Sequence, residues 1–406
     1  MLALALFGAR SRMIFRPQSV AEVLIAPAVW APCPPTPAPG LEPHPNTPPM
    51  KRNQVLLAGL ALASPLLFAF DPTADKVAFT PAEGTSLTKT FKLSQDFALD
   101  DMSMQMNGED MPMEMEMSMK LTQTTAVTDT YDKLAEGKPA KLTRLYKDAS
   151  MEMQVESKTS AMGQNSEQDA KGEGTSKLKD KIVTFTWDAD SGAYTKKYDE
   201  EAKGEDEWLP SLVEDMDLRG LLPDKEVSVD DEWTADNAIV ADLFAAGGNW
   251  QWNVEMEGVD SPGGPSPEMM TDLRELLGDS LDGDVTCKFV GSKEVDGVSY
   301  LAINVTIKIG SKTDMAEFMT DQMSKAEVPE GVTIEVSKMD MDTTMEGKGT
   351  LLWDGKAGLM HSFEYEGEFT MIMDMGMDID AFGQQMKNDM HMEMSGDMKL
   401  DVSTSK

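Results

Sequence analysis

Met111, Met113, Met115, Met117, Met119 and Leu121 alternate with Pro112, Glu114, Glu116, Ser118 and Lys120. A period of two sends successive side chains to opposite faces, so the stretch reads as a strand with one apolar face. Just upstream, Met102, Met104 and Met106 keep that period before Asn107-Gly108. An Asn-Gly pair between two alternating runs predicts a β-hairpin. Further alternating or β-rich runs cover 141–156, 182–187, 285–290, 300–309, 332–345, 351–353, 363–377 and 390–402. The last run holds one parity through Met390, Met392, Met394, Met398, Leu400 and Val402.

Helical patterns are fewer. Ser266-Pro267-Glu268 makes a helix start, with Met269, Leu273, Leu276 and Leu277 on one stripe. A second helix is expected over 314–326, burying Met315, Phe318, Met319 and Met323. Weaker helical patterns cover 208–222 and 237–246. The stretch 157–176 is polar and of low complexity and reads as a long exposed loop; 199–207 reads as an acidic connector.

The first seventy residues stand apart. Residues 1–49 hold 11 of the 22 prolines, a density that favours extended, poorly packed chain, and are expected to lie outside the native fold. Met50, Lys51 and Arg52 then lead into an uncharged apolar stretch, Val55 to Phe70, too short for a membrane span and laid out like a secretory signal peptide. Met50 is the expected start of the exported precursor, with cleavage near Ala69, although Leu67 fits the small-residue rule poorly. No stable membrane span is expected after signal removal. Cys33 falls in the leader, which leaves Cys287 without an intramolecular partner.

The run VTFTWDADSGAYTKKY (183–198) resembles GTLLWDGKAGLMHSFEY (349–365): each gives a strand, a Trp-Asp pair, a glycine turn and a second strand. The expected fold is mainly β (α+β), with two related antiparallel, curled β-sheet halves and a few packed helices. The expected division is a leader (1–49), a signal peptide (50–70), a first β-rich half (71–207) and a second half with helices (208–406).

The segment LPDKEVSVDDEWTAD, Leu222 to Asp236, together with the strand–Trp-Asp–Gly turns, resembles uncharacterised exported β-rich proteins of bacteria. Asp231 stands where those proteins usually carry Ser or Thr. The resemblance implies export and a β fold, to the periplasm or the cell surface, and carries no activity.

Charge excludes one class of partner. With 36 Lys+Arg against 71 Asp+Glu, the net charge of −35 repels phosphate backbones and rules against nucleic acid. Enzyme signatures are missing. Besides the leader's His44, the two histidines, His361 and His391, have no H-E-x-x-H spacing, and there is no G-x-S-x-G elbow, phosphate loop or Cys-x-x-Cys pair. Asp188, Asp190 and Gly192 open like a calcium loop, but the glycine comes one position early and no Glu closes it. Asp374, Asp378 and Asp380 alternate with Met and read as the solvated face of a strand.

The 34 methionines raise a soft-metal alternative, Cu(I) or Ag(I), with Met113, Met115, Met117, Met390, His391, Met392 and Met394 as candidate ligands. Strand geometry weighs against it, since His391 points away from its Met neighbours and one ion needs thioethers from two strands. Methionine replacing Leu, Ile and Val on buried strand faces is the favoured reading, with no metal and no cofactor. The expected role is non-enzymatic: a binding module for an apolar ligand or cell-envelope partner, or a structural module. A carboxylate-dependent hydrolase is a further alternative.

Overall fold

The computed structural model describes residues 75–135, 137–161, 164–257, 281–324, 332–381 and 383–406. The leader, the signal segment and the helix expected from Ser266 lie outside the described residues.

Alternation builds strands of unusual length. β1 (Thr85–Met106), β3 (Met113–Ala135), β4 (Lys138–Ala161), β12 (Val332–Asp354), β13 (Leu359–Ala381) and β14 (Gln384–Ser405) each run 22 to 24 residues. At ~3.3 Å per residue each spans roughly 75 Å. The shorter strands are β2 (Glu109–Asp110), β5 (Gln164–Ser176), β6 (Ile182–Asp188), β7 (Ala193–Tyr198), β8 (Glu232–Ala235), β9 (Trp252–Glu257), β10 (Leu281–Val295) and β11 (Val298–Asp314). All pair antiparallel in one 14-stranded sheet, in the order β7-β6-β4-β3-β1-β14-β13-β12-β11-β10-β8, with β2, β5 and β9 off that path. The sheet is not closed. β1 beside β14 joins the earlier strands to the later ones.

The Asn107-Gly108 hairpin forms as its sequence requires. Both residues take positive φ, 54° and 80°, and Gln105 and Met106 pair with Asp110 and Glu109. Beyond that tip the strands part. β1 pairs with β3 only as far as Ala98 opposite Ser118. Pro112 has no N–H to give a ladder, and the register of β1 against β14 slips at Asp100. That slip moves the inward parity from Phe97 and Leu99 to Met102 and Met104.

Two expectations are corrected. The stretch 157–176 is a hairpin, the end of β4 paired with β5, and not a loop. Its inward residues are Ala170, Gly172, Gly174 and Ser176, too small to register as an apolar period. The stretch 208–222 is no α-helix: it holds two short 3₁₀ turns, Asp206–Ser211 and Arg219–Leu221, joined by extended chain. Of the other helical patterns, α1 (Ile239–Phe244) buries Ile239, Val240 and Leu243. α2 (Ala316–Ser324) starts where Asp314 Oδ1 accepts the Ala316 N–H at 2.9 Å, and Met315 and Met319 are buried.

Two cores share one sheet face. At one end of the long strands, Phe91, Tyr131, Tyr146, Phe185, Phe289, Trp353 and Phe363 join α1 and the 212–222 segment. At the other end the cluster is built almost wholly of methionine, with Phe97 and α2. Tyr365 stands between the two, its ring laid over Gly347 and Gly367 so closely that a Cβ at either would strike it. The Trp-Asp hairpins close alike: Gly192 N–H donates to the Asp188 carbonyl and Gly358 N–H to that of Asp354, both glycines at positive φ. Asp188 therefore serves a turn, its Oδ1 accepting the Asp190 N–H at 2.9 Å.

Candidate functional site

Three groupings of side chains merit a functional reading. The first is the methionine face. Register aligns Met341 of β12 with Met373 of β13, Met373 with Met392 of β14, and Met392 with Met102 of β1. The next inward row aligns Met339, Met375, Met390 and Met104 in the same way. Met373 is 0% exposed and Met392 1%, and Met315 N–H donates to the Met339 carbonyl at 2.7 Å, which seats the start of α2 on the rows. Toward β3 and β4 the same face opens. Met102, Met104, Met113, Met115, Met151 and Met153 are only half-buried.

The candidate ligands read from sequence separate here. Met113, Met115 and Met117 pair across to Ala161, Thr159 and Ser157 of β4. Met390, Met392 and Met394 lie on β14 with β1 between the two groups, at least two strand spacings or ~10 Å away, since β3 parts from β1 before Met117. His391 faces the opposite side, where its Nδ1 lies 2.7 Å from Asp374 Oδ1. The structure thus unites the β14 methionines with β13 and β12, partners that a reading of single runs did not name.

The second grouping is that outer-face row. Ser103, His391 and Asp374 stand side by side on β1, β14 and β13. Lys338 Nζ lies 3.4 Å from Asp374 and 3.2 Å from Asp340. The hydrogen bond from His391, with Lys338 behind it, holds the Asp374 carboxyl below the usual carboxylate range. A shallow depression lined by Ser103, Gln105, Lys338, Asp374, Asp389 and His391 lies over Gly376, which aligns with Lys338 and Asp389. Hydroxyl, imidazole and carboxylate in line are the residue types of acid–base chemistry. Yet β13 and β14 are laddered on both sides here, so their N–H groups are not free to stabilise an oxyanion.

The third grouping was missed in the sequence. Lys89, Asp129 and Arg144, on β1, β3 and β4, have side chains that are 0% exposed. Lys89 Nζ sits 2.8 Å from Asp129 Oδ2 and 2.8 Å from Asp217 Oδ1. Arg144 binds Asp129 through Nε (2.7 Å) and Nη2 (2.8 Å), and donates to the carbonyls of Val213 (2.7 Å) and Glu214 (2.6 Å). Tyr131 OH donates to Asp217 Oδ1 at 2.7 Å. Arg219 pairs with Glu214 and lies 3.1 Å from Asp215. The network fastens the 212–222 segment to the sheet.

Its carboxylates are pushed apart. Burial alone would raise Asp129, but Arg144 and Lys89 overcome it and hold the group down at about 2. Burial dominates at Glu214 and pushes it up to about 7, and its Oε1 has no hydrogen-bond partner. Opposed shifts on neighbouring acids can mark acid–base chemistry, but both of these are sealed within the core. The signal was present as parity. Lys89 falls among Leu87, Phe91 and Leu93, Asp129 between Val127 and Tyr131, and Arg144 between Leu142 and Tyr146, each a charge at an inward position.

No protein-family model matches the chain, and no curated protein does. Among solved structures, the translocator domain of the autotransporter NalP from Neisseria meningitidis is similar at 10% identity, over 77% of this chain and 88% of that one, with a TM-score of 0.15. OccAB4 from Acinetobacter baumannii is similar at 7% identity, over 80% of this chain and 98% of that one, with a TM-score of 0.09. Scores of this size establish no common fold. Among the described residues, no helix is long and apolar enough to cross a membrane.

Proposed function

We propose that the chain is an exported, non-enzymatic binding protein of the cell envelope that holds an apolar small molecule on its half-open methionine strip. One observation carries the reading. The apolar face is buried where α2 packs on β12 but continues, half-buried, through Met102, Met104, Met113, Met115, Met151 and Met153, beside the interrupted β1–β3 ladder. Unbranched thioether side chains adapt to varied apolar shapes, which suits such a strip to ligand contact.

Export rests on the signal-like segment 50–70 and on the resemblance of Leu222 to Asp236 to exported bacterial proteins. The carboxylates that alternate with the methionines, such as Asp340, Asp374 and Glu393, give the sheet a polar face opposite its apolar one, which suits a sheet that meets water on one side. The matching Trp-Asp turns support a reading of 71–207 and 208–406 as related halves.

The test is native mass spectrometry and solvent extraction of protein recovered from an exporting host. Bound apolar molecules are expected on the wild type and reduced on Met115→Glu/Met153→Glu. A wild type that carries none, and takes up none when offered fatty acids or phospholipid, overturns the reading.

A further inference from the structure

The closed part of the methionine face has a property that packing alone does not require. Met341, Met373 and Met392 occupy one row on three adjacent strands, and Met339, Met375 and Met390 occupy the next inward row. All six are buried. Aligned residues on neighbouring strands have Cβ atoms ~5 Å apart, and successive inward rows lie ~6.6 Å apart along the strand. A thioether sulfur two bonds beyond Cβ swings over that distance, so three sulfurs of one row can meet at a point between their strands. Leucine or valine in the same places would pack equally well and offer no donor.

We infer that these two rows bind a soft monovalent cation, Cu(I) or Ag(I), through thioether sulfur alone. Neutral, polarisable thioethers suit such ions and disfavour the hard cations Mg²⁺ and Ca²⁺. An ion among uncharged ligands needs compensating negative charge nearby. Asp340 lies between Met339 and Met341 and Asp374 between Met373 and Met375, on the other face of the sheet, where the two share Lys338 and so leave one net negative charge behind the rows. The net charge of −35 adds a wider negative field. Cys287 lies in the other core, and Cys33, outside the described residues, is replaced by serine in every protein tested so that its thiol does not compete. The site uses the sealed rows, whereas the proposed apolar ligand uses the open strip, so the two readings stand or fall separately.

The test is Ag(I) titration of the purified full chain by calorimetry and native mass spectrometry, repeated with Cu(I) under reducing conditions against a competing chelator. The wild type is expected to bind Ag(I). Met341→Leu/Met373→Leu/Met392→Leu should weaken uptake by about tenfold or more, and leucine in both rows should abolish it. Leucine is close in volume, so the fold and any bound apolar molecule should survive. If circular dichroism shows a triple variant unfolded, Met373→Leu alone decides, with the same direction expected. Thioethers have no proton to release, so affinity should be equal at pH 5 and pH 8, unlike a site built on His391 or carboxylates. Met360→Leu, in the other core, should leave uptake unchanged. A wild type that binds no Ag(I), leucine rows that bind as well as wild type, or affinity that collapses at pH 5 overturns the inference.

Discussion

Lys89 and Asp129 form a 2.8 Å ion pair in which neither side chain reaches solvent, and the other Asp129 oxygen is held by Arg144. One carboxylate therefore bridges two buried cations on the two neighbouring strands, and Asp217 supplies the second negative charge. Asp129→Ala removes the shared partner and leaves Lys89 with Asp217 alone and Arg144 with two carbonyls. Breaking a buried pair from one side costs roughly 3–5 kcal/mol. Urea unfolding of Asp129→Ala should show a loss of that size, whereas Lys120→Ala, which breaks an exposed pair with Asp96, should cost less than about 1 kcal/mol.

Glu214 gives the pH profile an opposite arm. Its folded value near 7 lies above the ordinary glutamate value of 4.5, because burial disfavours the charged form. Folding therefore favours the protonated group. That stability is full below pH 4.5 and is lost as pH rises toward 7, a decline on the order of 3 kcal/mol. Asp129, held near 2 against 3.8, runs the other way: its contribution is present above pH 3.8 and lost as pH falls toward 2. Glu214→Gln should flatten the decline between pH 4.5 and 7 and raise stability at pH 8. Unfolding free energies measured across pH 3–8 check this; an unchanged slope in the variant counts against the assignment.

Sequence reading recovered the strands whose methionine period is strict, but not the 85–99 half of β1, although Leu87, Phe91, Leu93 and Phe97 point inward there. Met371, Met373 and Met375 on β13 and Met390, Met392 and Met394 on β14 announce their strands by period alone. β5 escaped because Gly172 and Gly174 carry no side chain to mark the inward positions. The partners of each strand were less legible. Met102 meets Met392 across 290 residues of chain because β1 pairs with the last strand, and no local pattern encodes that. The buried Lys89–Asp129–Arg144 group shows a different gap: charged side chains add nothing to an apolar period, although parity places all three inward.

Gly367 is where the long sheet admits no side chain. Tyr365 covers it and Gly347, and a Cβ at Gly367 would also press on the Glu346 carbonyl of the neighbouring strand. Gly367→Ala must displace the Tyr365 ring, which packs edge-on against Phe244 at 5.7 Å, or shift β12 away. Overpacking of this kind costs about 1–3 kcal/mol. The loss should appear as a lower urea midpoint, and Gly383→Ala at the β13–β14 turn, with open space around its Cβ, should not disturb packing at all. Because Gly383 sits at φ 82°, that control carries a backbone penalty of its own, so near-ultraviolet circular dichroism of the Tyr365 environment separates the two causes.

Met373 tests whether the second core is packed or hollow. It is 0% exposed, with Met341 and Met392 aligned on either side. In a filled core, Met373→Ala forfeits the transfer energy of the removed atoms and opens a cavity, together about 2–5 kcal/mol, while Met373→Leu keeps most of the volume and costs less than about 1.5 kcal/mol. A hollow, ligand-sized interior would let neighbours relax into the space, and the alanine variant would then lose little more than the leucine one. Equilibrium unfolding of both variants gives the difference directly. We expect it to exceed about 1 kcal/mol, because the rows are buried in one cluster with Met315 and Met319.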